Sequence, residues 1–121
     1  LYDEPEFVVN NIWRLYGGWY DGNPANLKPA KENELAAEVC RLSGGALVLA
    51  TRAQELVDAE DFRMACHLIE MAALAEPDNF QIQGIRAEVY AARRSKETSL
   101  MAKGIFGYAA RQSKVLSEPP K

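Results

Sequence analysis

Between residues 46 and 79 the chain reads ALVLATRAQELVDAEDFRMACHLIEMAALAEPDN, and its apolar positions step by three and four. Leu49, Ala53, Leu56 and Val57 form one such series, and Ala65, Leu68, Ile69 and Ala72 form the next. Steps of that size gather side chains on one face of an α-helix and scatter them around a strand. Alanines at 53, 65 and 72 end at Cβ, so two antiparallel helices carrying them can approach closely. β signals are scarce in the rest of the chain. The class predicted is therefore all-α, an antiparallel bundle of about five to six helices. A length of 121 residues corresponds to a single domain, 1–121, with enough chain to bury a core without disulfide or metal staples.

The punctuation divides the chain further. A first helix is predicted from about Glu4 to Tyr16, with Asp3 and Glu6 at capping-box spacing, Pro5 in its first turn and Gly17–Gly18 stopping it. A long loop, roughly 17–30, leads to a second helix over about 31–42, with Leu35, Val39 and Leu42 inward. Gly44 and Gly45 end that helix. The third is expected over 46–59 and the fourth over 61–75, followed by Pro77. The fifth covers 80–93, with Ile82, Ile85, Val89 and Tyr90 inward, and the sixth covers 96–115, capped by Ser95. Gly104 and Gly107 fall inside the sixth; they either permit close packing or kink it. Residues 1–30 thus read as a helix plus loop, 31–115 as the bundle, and 116–121, ending SEPPK, as a linker.

The middle of the chain follows the grammar of a tetratricopeptide unit of about 34 residues. With Pro77 at position 32, Ala53 falls at position 8, Leu56 at 11, Ala65 at 20, Ile69 at 24 and Ala72 at 27. A second unit is only partial, through Ala87 and Tyr90. A tetratricopeptide-like hairpin and a bundle that converged on the same pattern both fit.

Chemistry within the chain is sparse. The net charge of −3 is spread among mixed signs, and no basic stripe suited to nucleic acid is present. No window of 18 apolar residues marks a membrane span. Cys40 and Cys66, far apart in helical patterns, read as buried free thiols. His67 is alone and reads as a helix-surface residue. No HxH, HExxH or CxxC predicts a metal site, and no GxSxG elbow or P-loop predicts nucleophilic or phosphate chemistry. A chain beginning at Leu1 with no secretory leader pattern reads as a piece of a longer polypeptide, whose compartment these residues do not reveal. A periplasmic or secreted parent is compatible with them.

The loop RLYGGWYDGNPANLKPA, residues 14–30, stands apart. Asp21–Gly22 and Asn23–Pro24 are strong turn dipeptides. Loops this long in compact domains are mostly functional or disordered, and Trp19, Tyr20 and Leu27 are costly to leave in water. The loop is therefore expected to be ordered, its aromatics packed on this domain, a neighbouring domain or a partner.

NIWRLYGGWYDGNPANLKPA, residues 11–30, resembles the signature opening the dimerisation domain of the metallo-β-lactamase-type alkylsulfatases, which hydrolyse alkyl sulfate esters. The likeness continues through the glycine pair at 44–45, the "DF" turn at 61–62, "PDN" at 77–79 and "IRAEVYAA" at 85–92, and spans essentially the whole chain. It implies a three-part parent: a first domain with two zinc ions held by an HxHxDH motif, this all-α middle domain through which two subunits associate, and a following sterol-carrier-protein-like domain. Since HxHxDH is absent here, none of the metal chemistry transfers. What transfers is the signature itself, Arg14, Tyr16, Gly17, Gly18, Trp19, Tyr20, Asp21, Gly22, Asn23 and Pro24, as a junction between domains near the active-site mouth. Asn10 and Asn11 depart from the family by standing where a basic residue is often found.

Few polar catalytic groups and spare apolar surface agree with a homodimer whose interface is isologous. Phe7, Val8, Ile12 and Trp13 of the first helix and Ile105, Phe106 and Tyr108 of the last carry more aromatic surface than one small core absorbs, and are the candidate interface residues. The opposing reading makes all of them intramolecular core. A tetratricopeptide-like module gripping a peptide, and a stand-alone enzyme using Asp21 and Tyr20, are the competing functions.

Overall fold

The computed structural model describes residues 21–119. The first predicted helix therefore lies outside the described residues. So do Arg14, Tyr16, Gly17, Gly18, Trp19 and Tyr20 of the signature, and Phe7, Val8, Ile12 and Trp13 of the interface candidates. The chain divides into two compact units, Leu1–Lys31 and Glu32–Lys121. In the described part of the first, a single 3-10 turn spans Pro24–Asn26.

The second unit is all-helical among its described residues: α1 Glu32–Ser43, α2 Ala46–Asp58, α3 Phe62–Ala75, α4 Phe80–Ser95 and α5 Leu100–Leu116. Local chemistry fixes each boundary. Gly44 and Gly45 adopt φ of 109° and 132°, a region that L side chains enter only with strain. Both of their amides donate to the carbonyl of Cys40, closing α1. Asp61 caps α3 by accepting from the Met64 amide at 3.3 Å. Asn79 caps α4 by accepting from the amides of Gln81 and Ile82 at 3.0 and 3.2 Å. EPDN is thus a stop and a start in one turn.

α2 and α3 pack as a hairpin, α1 lies against both, α4 packs on α2 and α3, and among the described helices α5 packs on α4 alone. The core runs through the middle of this array. Ala50, Ala53, Ala65, Ile69, Ala72 and Ile82 have no solvent exposure. The inward residues predicted for α2 to α4 are buried or partly buried here. α1 departs from its predicted stripe: Leu35 and Leu42 are 54% and 78% exposed. It buries Ala36 and Cys40 instead, with Val39 at the edge. The helix is rotated so that its small residues meet α3, because close approach wins more contact than burying two leucines across a wider gap.

The last helix begins later than the predicted residue 96. Ser95 ends α4, its hydroxyl donating to the carbonyl of Ala92 at 2.7 Å, and Ser99 caps α5 by accepting from the Ala102 amide at 3.3 Å. α5 is one continuous helix through both glycines. Gly107 is the close-packed one, since a Cβ there would lie 2.9 Å from Nε of Arg94. Gly104 faces open space. No described helix is long and apolar enough to cross a membrane.

Candidate association surface

A polar and aromatic clamp fixes α5 to the array. The Arg86 guanidinium on α4 donates from Nε to Glu70 Oε1 on α3 at 2.8 Å. It also donates from Nη1 to Ser113 Oγ at 2.7 Å and to the Ala109 carbonyl at 3.3 Å, both on α5. Ser113 is fully buried. Its hydroxyl donates to Gln83 Oε1 at 2.8 Å, and the Gln83 amide donates to the Pro77 carbonyl at 2.8 Å. The Tyr90 hydroxyl donates to the same Glu70 oxygen at 2.5 Å. No buried side-chain nitrogen or oxygen among the described residues is left without a partner, which is what makes a network inside a small core stabilising.

The same residues stack. Arg86 lies over the Tyr90 ring at 4.9 Å, Tyr90 stacks on Phe106 at 5.8 Å, and Arg93 lies over Phe106 at 5.0 Å. Arg93 is held in turn by Glu97 at 2.8 Å. Burial and the Glu70 carboxylate push the Tyr90 hydroxyl well above the ordinary phenol range. Phe106 is therefore committed to its own chain.

With Phe106, Ala109, Ala110 and Ser113 turned toward α4, the opposite face of α5 is turned outward. Met101, Ile105, Tyr108 and Val115 are 77%, 61%, 63% and 72% exposed, and with exposed Gln112 they follow at steps of four and three. A helix apolar on two opposite faces is normally covered on both. Of the three candidates on this helix, Ile105 and Tyr108 are on the outer face and Phe106 on the inner. Sequence reasoning did not single out Met101 and Val115, although the same step of three and four links them to Ile105 and Tyr108.

The signature residues that are described form a tight local structure. Asp21 accepts from the Asn23 amide at 2.8 Å and from the Asn26 side-chain amide at 2.5 Å. Those bonds hold its carboxyl below the usual range, with the Asn23 amide the larger cause. Asn23 caps the 3-10 turn by accepting from the Ala25 amide at 3.1 Å, and Gly22 has a φ of 86°. The turn is exposed. Its carboxylate is consumed in holding the backbone, not presented as a base.

Open grooves also lie between the described helices. One, of about 360 Å³, lies between α2 and α4 beside Gln54, Val57, Asp58 and Glu88. Another, of about 260 Å³, lies between α1 and α3 beside Leu35, His67, Glu70 and Leu74. His67 is exposed. Cys40 and Cys66 are free thiols, Cys40 buried as expected and Cys66 only partly buried, and both are raised above their ordinary range chiefly by burial. No three His, Cys, Asp or Glu side chains converge among the described residues.

A family model described as alkyl sulfatase dimerisation matches residues 1–115. The chain is similar to the alkyl/aryl-sulfatase BDS1 of Saccharomyces cerevisiae, 31% identical over 80 residues. It is also similar to a linear primary-alkylsulfatase of Pseudomonas sp., 32% identical over 80 residues, and to an (R)-specific secondary-alkylsulfatase of Pseudomonas sp., 31% identical over 77 residues. The matches cover 66%, 66% and 64% of this chain and 12% of each relative.

Proposed function

The chain belongs to the alkyl sulfatase dimerisation family, and on that premise we propose that it is the segment through which two subunits of an alkyl sulfate ester hydrolase associate. The observation that carries this reading is apolar surface left over after the core is complete. The last described helix, α5, keeps a row of exposed Met, Ile, Tyr and Val side chains on the face turned away from the core. Stacked helical arrays stay soluble alone when their terminal elements have a polar outer face, and α5 does not.

The hydrolytic machinery, including the two zinc ions implied by the resemblance, is assigned on this reading to a part of the parent outside this chain. The donors described here do not suit a zinc site. His67 is solitary, and the two thiols sit on different helices inside the array. The Asp21–Pro24 turn, with its φ above zero at Gly22 and its internally bonded carboxylate, suits a rigid domain junction. On this reading the α2–α3 hairpin is tetratricopeptide-like, supported by its alanine spacing and by the contact of α2 with α4. Peptide capture is the weaker use of that contact, because Gln54 donates to Glu88 within the groove a peptide would occupy.

Sedimentation equilibrium of the full chain tests the reading. The expected result is a dimer mass at micromolar concentration; a monomer at every concentration reached would count decisively against it. Alkyl sulfate hydrolysis by this chain alone would overturn the assignment of catalysis to another part of the parent.

A further inference from the structure

Dimerisation as a function does not say which surface meets the second subunit. Resting on that reading, we infer that α5 pairs with α5 of a second copy, antiparallel, about a two-fold axis beside Tyr108. Three observations converge on this helix.

The first is the spacing. Met101, Ile105, Tyr108, Gln112 and Val115 alternate steps of four and three, the repeat of about 3.5 residues that makes a straight seam between two helices. The seam runs about 21 Å along the helix and lies opposite the core face. On α1, by contrast, exposed Leu35 and Leu42 alternate with exposed Glu34, Glu38 and Arg41.

The second is Gly104. It lies in the interior of α5, where glycine weakens a helix, and a Cβ there would meet no atom of another described element within 4 Å. The space at Gly107 is taken by Arg94, but no described side chain takes the space at Gly104. Next to the seam, a missing side chain allows a second helix to approach to about 8 Å.

The third is charge. No carboxylate lies on the seam, and the exposed cation bordering it is Arg111. A parallel pair sets Arg111 beside its own copy, and like charges in register oppose association. The antiparallel pair centred on Tyr108 separates the two arginines. It sets Met101 opposite the partner's Val115 and Gly104 opposite the partner's Gln112, using the whole seam. A self-complementary patch of this kind closes as an isologous dimer.

The test uses the full chain with Cys40→Ala and Cys66→Ser, adding single cysteines and oxidising with copper–phenanthroline. Tyr108→Cys is expected to cross-link to itself. Met101→Cys is expected to cross-link only when mixed with Val115→Cys, and Leu42→Cys not at all. Self-cross-linking of Met101→Cys would overturn the antiparallel register. In sedimentation, Ile105→Glu is expected to give a monomer mass with unchanged helical circular dichroism, and Gly104→Leu to weaken the dimer about tenfold while raising the melting midpoint of dilute protein. A wild-type dimer that survives Ile105→Glu and is cross-linked through Leu42→Cys would overturn the assignment to α5 and leave the dimer reading intact. A wild type that stays monomeric would remove both.

Discussion

At Tyr90 two demands meet: the ring lies in the core and its hydroxyl has to be bonded there. Glu70 meets the second demand across 2.5 Å. Tyr90→Phe keeps the stack on Phe106 and loses that bond, so it is expected to cost about 1 kcal/mol in urea unfolding at neutral pH. The pH dependence has a definite sign. The folded-state pKa of Tyr90 is raised, so the folded protein holds the phenolic proton more tightly than the unfolded chain. The resulting stability is complete below the unfolded value of about 10 and is lost as pH rises above it. Wild type should therefore lose stability more steeply than Tyr90→Phe above that pH, as read by urea midpoints along an alkaline series. The two helix glycines make a second residue-scale prediction. Gly104→Ala enters open space and should raise the stability of dilute protein by about 0.5–1 kcal/mol. Gly107→Ala displaces the Arg94 side chain and should gain less, which thermal melts of the two variants would compare. Periodicity marks Tyr90 as inward, but Glu70 lies 20 residues away on another helix, and no local pattern pairs them.

The elements were legible where local chemistry defines them and obscure where packing does. Gly44–Gly45 and EPDN set boundaries that the structure keeps, because positive φ and side-chain capping act within a few residues. Asn79→Ala should cost about 1 kcal/mol, measured by chemical denaturation, since its side chain serves two orphan amides of α4. The start of α5 was misplaced because Ser95 and Ser99 both precede helix-forming residues. The Arg93–Glu97 pair and the bond from Ser95 to Ala92 assign the first serine to the end of α4. The rotation of α1 was illegible for a related reason. Leu35, Val39 and Leu42 make a plausible stripe by hydrophobicity, but α3 offers a surface suited to Ala36 and Cys40. Replacing the Arg86 clamp by Arg86→Met should cost about 2–3 kcal/mol by denaturation, leaving Glu70 and Ser113 with fewer partners.

For the whole molecule, a dimer joined through α5 makes the melting temperature depend on concentration. Calorimetry over a hundredfold range of protein should show the midpoint rising for wild type and flat for Ile105→Glu. The sequence by itself determined the helical class, the helix order, the inward residues of α2 to α4 and the resemblance that led to the family, because helix periodicity, caps and signature turns are written in residues close along the chain. Only the tertiary structure decided that Phe106 turns inward while Ile105 and Tyr108 turn outward, that α1 presents Ala36 and Cys40, and that one arginine on α4 ties α3 and α5 together. Those outcomes depend on which neighbour each face meets, and apolar residues on both sides of a helix leave that choice to packing between distant segments.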